Sequence, residues 1–261
     1  VLAKMTDSTS FRTEAAFKEW FLAQSDPQVQ IRALHDWRRY QQSVVESLTD
    51  LVSLLASDQY THADHFLLEL LQNADDNEYP AGATPELKIT LAADACIFAC
   101  NEKGFSAENV YAICYAASST KKRRKTSRTF IGEKGIGFKS IFAVAEAVEI
   151  HSGDYHFELR DKEFILPHVI AGECTAGSRV VVRFKKHLEG LAVTVSNRLK
   201  HLSAESRHFL LFLQQLERLS FVDRIEGTER TVQVIRDRET KRCLVQSDGA
   251  TLQYHLESFP V

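Results

Sequence analysis

Apolar residues recur at a helical period through residues 11 to 60. In "FRTEAAFKEWFLAQ", Phe11, Ala15 and Trp20 fall at helical spacing, and after Asp26-Pro27 a second apolar stripe runs to Ala56. A period near 3.6 residues predicts helices on both sides of Asp26-Pro27. Aspartate and proline favour a helix start, which agrees with a second helix after them.

The segment "FLLELLQNADDNEYP" predicts a further helix, over residues 63 to 76, that ends in a turn-rich stretch. At about 100° per residue it separates an apolar face from a polar one. The apolar face holds Leu67, Leu70, Leu71 and Ala74, and the polar face holds Glu69, Asn73 and Asp76. Two carboxylates and an amide in line could hold a metal ion and a water. They could equally be the solvated side of an amphipathic helix.

Periodicity then changes to two, which predicts strands. "ELKITLAADACIFAC" predicts a hairpin, and "AVEIHSG", "YHFELR" and "SRVVVRF" predict further strands. Between them, "SAENVYAICYAAS" predicts a helix with Ser106 as N-cap and Asn109 at the third helical position. Residues 192 to 221 predict another helix, and three short β-like runs close the chain. Helices alternating with hairpins favour an α/β sandwich.

Composition narrows the class of protein. The 261 residues carry a formal net charge of −3, with 44% hydrophobic and 26% charged residues. These values are typical of a globular protein and indicate no general attraction to nucleic acid or to a membrane. No apolar run approaches the roughly 20 residues of a membrane span. No signal peptide is evident in the polar opening "VLAKMTDSTS", where Met5 is a candidate start.

The five cysteines are odd in number and show no CxxC spacing. A zinc site or a disulfide framework is therefore not expected, and a reducing compartment, cytoplasmic or nuclear, is favoured.

Three glycines form the pattern G-x-x-G-x-G in "IGEKGIGFKS", at Gly132, Gly135 and Gly137. Glycine lets the backbone approach an anion and point successive N–H groups at it. The glycine spacing is not that of a Walker P-loop, and the basic loop before it is unlike the strand that precedes a Rossmann fingerprint.

The order of these features resembles the GHKL superfamily, which includes the ninety-kilodalton heat-shock chaperone, type II topoisomerases, MutL and histidine kinases. "LLQNADD", "NEKGF", "SSTKK" and "IGEKGIGFKS" occur in the same order as in the sacsin and NO VEIN type of ATP-binding domain. The likeness covers about residues 44 to 185. It implies a Bergerat-type two-layer sandwich, a mixed and mostly antiparallel sheet covered by helices. The expected organisation is an N-terminal helical segment at 1–43, the ATP-binding domain at 44–190 and a C-terminal α+β extension at 191–261.

The resemblance also assigns roles to particular residues, with ATP and Mg²⁺ as the ligands. Glu69 would be the general base that orients the attacking water, Asn73 would bind magnesium, and Asp76 would support that site. Ser178 would reach the water network around adenine. Backbone contacts to the nucleotide are expected from the glycine-rich segments, at Gly104, Gly132, Gly135, Ile136, Gly137 and Phe138. Lys134 and Lys139 are either phosphate contacts or solvated lysines.

The adenine acceptor departs from the superfamily pattern, which is Asp-x-Gly-x-Gly. Our alignment of this motif places Cys100 at the aspartate position, with Asn101 beside it. The amide oxygen of Asn101 is the acceptor we predict, unless the carboxylate of Glu102 turns in.

Residues 119–129, "STKKRRKTSRT", lie where the family carries its ATP lid, and six of the eleven are basic. We expect a lid, with Ser119 and Thr120 near the α-phosphate. A nuclear localisation patch and a solvated loop are the alternatives.

The expected function is therefore ATP binding and slow hydrolysis that drives a lid or domain switch. The superfamily usually borrows a basic residue from a following domain, so a protein partner, a further domain or a homodimer is expected to complete the site. The alternatives are a module that senses ATP or ADP without hydrolysis and an interaction protein with a vestigial site.

Overall fold

The structure is a computed structural model that describes residues 11–40, 65–115, 138–237, 242–247 and 250–255, apart from the side chains of residues 140, 207 and 237. Five α-helices occur in these ranges, at Glu14–Leu22 (α1), Pro27–Tyr40 (α2), His65–Asp75 (α3), Ala107–Ile113 (α4) and Leu191–Phe209 (α5). No helix within them combines the length and the apolar content needed to cross a membrane. The expected helical stretch over 41–64 lies outside the described residues.

Local sequence chemistry explains where two of the helices begin. α2 starts at Pro27, a residue suited to the first helical position, and the carboxylate of Asp26 accepts the backbone N–H of Gln28 at 2.8 Å. α4 begins with the predicted cap. The Ser106 hydroxyl accepts the N–H of Asn109, and the Asn109 side chain accepts the N–H of Ser106 at 2.9 Å.

Ten strands form a single mixed sheet in the described part of the chain. Eight of its nine neighbouring pairs are antiparallel, and the pair β1–β7 is parallel. The spatial order is β10-β9-β8-β7-β1-β2-β6-β3-β4-β5. The strands are Glu86–Leu91 (β1), Ala95–Cys100 (β2), Ala145–Gly153 (β3), Tyr155–Arg160 (β4), Glu163–Val169 (β5), Thr175–Phe184 (β6), Arg218–Asp223 (β7), Thr228–Asp237 (β8), Arg242–Ser247 (β9) and Ala250–His255 (β10).

Two local features differ from the predictions. The helix expected to run to residue 221 ends at Phe209, and residues 218–223 form β7 beside β1. β5 was not predicted as a strand. After the glycine-rich segment, residues 138 and 139 are helical, a 3₁₀ turn follows at Ser140–Ala143, and β3 begins at Ala145. An apolar run such as "RLSFVD" suits either period, and pairing with β1 decides between them.

The sheet crosses the expected domain boundary at 190/191, because β7 belongs to the C-terminal segment and pairs with β1. β8, β9 and β10 extend the sheet from β7, and α5 packs against β7 and β8.

One apolar core joins the helices to the sheet. In α3, the predicted inner residues Leu67, Leu70, Leu71 and Ala74 are buried, whereas Glu69, Asn73 and Asp76 are half-buried. The N-terminal helices enter the same core through Phe17 and Trp37, whose rings stack at 4.7 Å.

Polar contacts attach these N-terminal helices to the rest of the fold. Glu14 on α1 accepts the Tyr111 hydroxyl of α4 at 2.7 Å and an Nη of Arg38 on α2 at 3.0 Å. Residues 11–40 and α4 are therefore held together by a partly buried carboxylate contact as well as by apolar packing.

Candidate functional site

A cavity lies between α3 and the strands β1, β2 and β6, and it holds about 630 Å³ including the solvent at its open mouth. Its polar lining, in the described part of the chain, consists of Asn73, Asn77, Cys100, Glu102 and Ser178. Its apolar lining consists of Leu70, Ala74, Leu87, Phe98, Phe105, Ile113, Phe138 and Val180. An apolar pocket with a few polar groups is typical of a small-molecule site.

A buried carboxylate forms one wall of this cavity. Glu102 is 6% exposed and accepts a short hydrogen bond from the Ser178 hydroxyl. Ser152 Oγ lies 2.6 Å from Ser178 Oγ and accepts the N–H of Phe105 at 2.7 Å. Because the Ser178 hydroxyl donates its single hydrogen to Glu102, the Ser152 hydroxyl must donate to the Ser178 oxygen. The relay therefore runs from the Phe105 amide through two serines to the carboxylate.

Burial raises the pKa of Glu102, and the hydrogen bond from Ser178 opposes that shift. A desolvated carboxylate with one oxygen bonded to a serine can use its second oxygen to accept a hydrogen bond from a ligand. The wall is thus suited to a ligand that presents an N–H or an O–H.

Two glycines let the backbone segments around Glu102 approach each other. Gly177 has φ +87°, and a Cβ there would lie 2.2 Å from the carbonyl oxygen of Cys100. Gly104 has φ +91°, and a Cβ there would lie 3.3 Å from the Ser152 hydroxyl. Glycine therefore lets residue 177 on β6 lie against the backbone at the end of β2, and lets residue 104 lie against Ser152 on β3.

Helix α3 contributes the second group of polar atoms. Asn73 lines the cavity, and Glu69 lies one turn earlier on the same face. The Oε1 atom of Glu69 is buried, and no described residue forms a hydrogen bond with it. A buried carboxylate oxygen without a partner is costly, which makes this the place where a water or a cation would be stabilised. Glu69 and Asp76 are both half-buried, and neither residue lines the cavity.

Asn101, the adenine acceptor predicted from the sequence, does not line the cavity. Its side chain is exposed, its Oδ1 accepts the N–H of Glu86 at 2.8 Å, and its Nδ2 donates to the carbonyl of Thr84 at 2.8 Å. These bonds hold the start of β1. The alternative residue, Glu102, is the one in the cavity. Counting from Glu102, "EKG" reads as carboxylate-x-glycine, two residues later than our alignment.

Cys100 lines the cavity as a protonated thiol. Burial raises its pKa to about 12, and its Sγ lies 3.1 Å from the Tyr79 hydroxyl, which donates to the carbonyl of Ala74. A thiol with this pKa is a poor nucleophile.

Phe138 and Lys139, the first described residues after the glycine-rich segment, have different surroundings. Phe138 is buried and lines the cavity with its side chain. Lys139 is 2% exposed and donates to the carbonyl of Tyr115 at 3.1 Å, and burial lowers its pKa to about 8. Gly104 is described and does not line the cavity. The remaining predicted nucleotide contacts lie outside the described residues, namely Ser119, Thr120, Gly132, Lys134, Gly135, Ile136 and Gly137.

No group of three histidine, cysteine, aspartate or glutamate residues is arranged to hold a metal in the described ranges. Mg²⁺ commonly takes one or two protein ligands and completes its shell with water and substrate phosphates. The amide of Asn73, with the unpartnered oxygen of Glu69 on the same helix face, fits such a partly solvated ion.

Sequence reasoning missed three residues that shape the site. Asn77 lies one turn beyond Asn73 and lines the cavity. Its separation of four residues from Asn73 was the sequence signal that could have identified it. Ser152 had no signal because its partner lies on another strand. Asp75 is buried and accepts three backbone N–H groups from residues 214–216.

The fold and the cavity thus define an α/β protein with an apolar pocket bounded by a carboxylate relay and a polar helix face. No protein-family model matches the chain. The chain is similar to Protein NO VEIN of Arabidopsis thaliana, with 45% identity over 120 residues. The match covers 44% of this chain and 4% of NO VEIN, so the chain spans a small part of that protein's length.

Proposed function

We propose that the chain binds ATP with magnesium and hydrolyses it slowly, as a chaperone-like or regulatory conformational switch. The observation that carries this proposal is the carboxylate of Glu102, buried in an apolar cavity and held by the Ser178 hydroxyl. An acceptor of this kind, in a pocket with aromatic and aliphatic walls, suits the exocyclic amino group of adenine.

The base would lie among the apolar walls, with Phe98 and Val180 from the sheet and Leu70 from α3. Glu102 would accept from its amino group, and Ser178 would keep the carboxylate oriented. Asn77 provides an amide that can pair with a ring nitrogen or a bound water. Selectivity for the base would come from the polar groups and affinity from the apolar burial.

The phosphates would extend toward the polar face of α3. Asn73, which lines the cavity on this face, would hold a magnesium ion whose charge offsets that of the phosphates. Glu69 would accept a proton from the attacking water and orient it, because its Oε1 has no hydrogen-bond partner in the described structure. The glycine-rich segment at 132–137 remains a predicted phosphate cradle.

A two-layer, Bergerat-type arrangement is part of the same proposal, supported by the mostly antiparallel sheet and by α3 against it. The contact between Glu14 and Tyr111 offers a route for the switch. It joins the N-terminal helices to α4, which comes directly after the segment that carries Glu102. The protein is proposed to act in the cytoplasm or nucleus, with a partner, a further domain or a second copy supplying a basic residue.

A module that senses nucleotide without hydrolysis is the second candidate. No described lysine or arginine lines the cavity, and Lys139 is occupied by the Tyr115 carbonyl. A site without a cation at the γ-phosphate would bind nucleotide better than it stabilises the transition state.

Calorimetry and phosphate release on the 261-residue chain separate these functions. Heat of binding with MgATP, together with turnover above a no-enzyme blank, supports the switch. Binding without phosphate release supports the sensing module. An absence of binding by both ATP and ADP contradicts both proposals.

A further inference from the structure

The C-terminal end of α3 is tied to a segment far along the chain. Asp75 is 6% exposed, and its carboxylate accepts the backbone N–H groups of Gln214 at 2.8 Å and of Gln215 and Leu216 at 2.9 Å. A carboxylate at a helix C-terminus is opposed by the helix dipole. The three charge-assisted hydrogen bonds offset that cost, so they account for an aspartate at this position.

The same segment is held from its other side by a cation. An Nη atom of Arg236, on β8, lies 2.6 Å from the carbonyl oxygen of Leu210 and 3.1 Å from those of Leu213 and Leu216. Residues 210–216, here called the brace, are thus bonded through N–H groups to α3 and through carbonyls to β8. Beyond the brace, the N–H groups of Glu217 and Arg218 both donate to the carbonyl of Pro85, next to β1.

Asp75 lies two residues after Asn73, in the turn that also carries Asp76. With 3.6 residues per turn, a rotation of the last turn of α3 would move the Asn73 amide along the cavity wall. Glu102 and Ser178 lie on the sheet side and would not move with it. The brace can therefore fix the end of the cavity that carries Asn73 independently of the end that carries Glu102 and Ser178.

We propose that Asp75 is a positioning residue of the nucleotide site, which sets the metal-facing side chain of Asn73 by anchoring α3 to the brace and, through Arg236, to β8. The inference rests on the proposed function. It assigns to residues 210–236 a part in the site that lies outside the region of likeness at 44–185.

The test compares three calorimetric titrations of the full chain, with adenosine, with ATP in EDTA and with MgATP. In the wild type, magnesium should tighten ATP binding. In Asp75→Asn the magnesium-dependent gain should fall by roughly tenfold, the low end of what loss of support for a metal ligand costs. Adenosine affinity should stay at the wild-type value, because Glu102 and Ser178 are unchanged. A general loss of structure would weaken all three ligands together.

Arg236→Met loosens the brace while leaving Asp75 intact, and it should show the same selective loss. The double variant should lose no more than either single variant. The matched controls are Asp36→Asn on α2 and Arg242→Met on β9, both exposed, and neither should alter any of the titrations.

The outcomes separate this inference from the function beneath it. If the wild type binds MgATP and both Asp75→Asn and Arg236→Met keep its magnesium-dependent gain in ATP affinity, the positioning role alone is overturned. If Asp75→Asn fails to fold, Arg236→Met decides by itself. An absence of adenosine and MgATP binding in the wild type overturns the proposed function and this inference with it.

Discussion

The hydroxyl of Ser178 donates a hydrogen bond to the carboxylate of Glu102, a residue 76 positions earlier in the chain. Strand pairing brings the two together, since Ser178 lies opposite Cys100 in the β2–β6 register and Glu102 comes two residues later. Ser152 supports the pair from β3. The proposed nucleotide site rests on this relay, and its base recognition, catalysis and stability can each be tested.

Replacing Glu102 with alanine should weaken adenine-nucleotide binding without unfolding the chain. Loss of a hydrogen bond to a charged acceptor is expected to raise the Kd for ATP roughly 10- to 100-fold. Calorimetry measures the change. Glu108→Ala, an exposed carboxylate at the start of α4, is the control and should bind as the wild type does. Equal affinities of Glu102→Ala and the control would remove Glu102 from base recognition.

Stability should depend on pH through Glu102. Its folded-state pKa is raised above the ordinary value of 4.5 because burial penalises the charged form. The folded state therefore binds the proton more tightly than the unfolded state does. This contribution is complete below the ordinary pKa and is lost as the pH rises through the folded-state pKa.

Urea unfolding of Glu102→Gln and of the wild type, from about pH 4 to about pH 8, measures this linkage. The unfolding free energy of the variant relative to the wild type should increase with pH and then level off. A difference that is constant or decreases over the range would show that burial does not raise this pKa.

Glu69→Gln should abolish turnover and spare binding. Removing a general base is expected to lower the rate of phosphate release by roughly 100-fold or more, whereas calorimetry should give a Kd for MgATP close to that of the wild type. Glu19→Gln, on the exposed side of α1, serves as the control. Turnover that persists unchanged in Glu69→Gln would exclude Glu69 as the base.

Gly177→Ala should separate β2 from β6 and damage the cavity. The new Cβ would lie 2.2 Å from the Cys100 carbonyl oxygen at a φ of +87°. Gly227→Ala is the matched control, because Gly227 has a φ of +68° with no atom within 4 Å of the added Cβ. We expect the control to lose about 1–2 kcal/mol from backbone strain.

The clash at residue 177 should cost about 1–3 kcal/mol more than the control does. Thermal and urea unfolding give both free energies, and ATP affinity should fall in Gly177→Ala because Ser178 is displaced. Equal destabilisation of the two variants would contradict the close backbone contact.

Patterns carried by neighbouring residues were sufficient for much of the fold. The division of α3 into a buried leucine face and a half-buried polar face is confirmed, as are the cap at Ser106 and the hairpin β1–β2. These features depend on side chains within a turn or a hairpin of one another. The helical and β periods show directly which of these nearby side chains share a face.

Tertiary structure decided which of three candidate acceptors lines the cavity with its carboxylate. In sequence, Cys100, Asn101 and Glu102 were alternatives, because spacing to a glycine does not state which side chain faces inward. Two hydrogen bonds hold the Asn101 side chain against the backbone of Thr84 and Glu86, and Ser178 holds Glu102 in the cavity. That choice depends on a partner strand far along the chain.

Tertiary structure also decided the conformation of the segment after α5, where an apolar run predicted helix and pairing with β1 made it β7. The contacts of Asp75 were likewise decided by tertiary structure. Its sequence neighbours indicate only a helix end, whereas its partners are backbone groups at 214–216. The sequence by itself determined which side chains share a helix or strand face, because that geometry repeats every few residues. Which faces meet, and so which polar groups surround the cavity, was decided by contacts between segments that the local pattern does not encode.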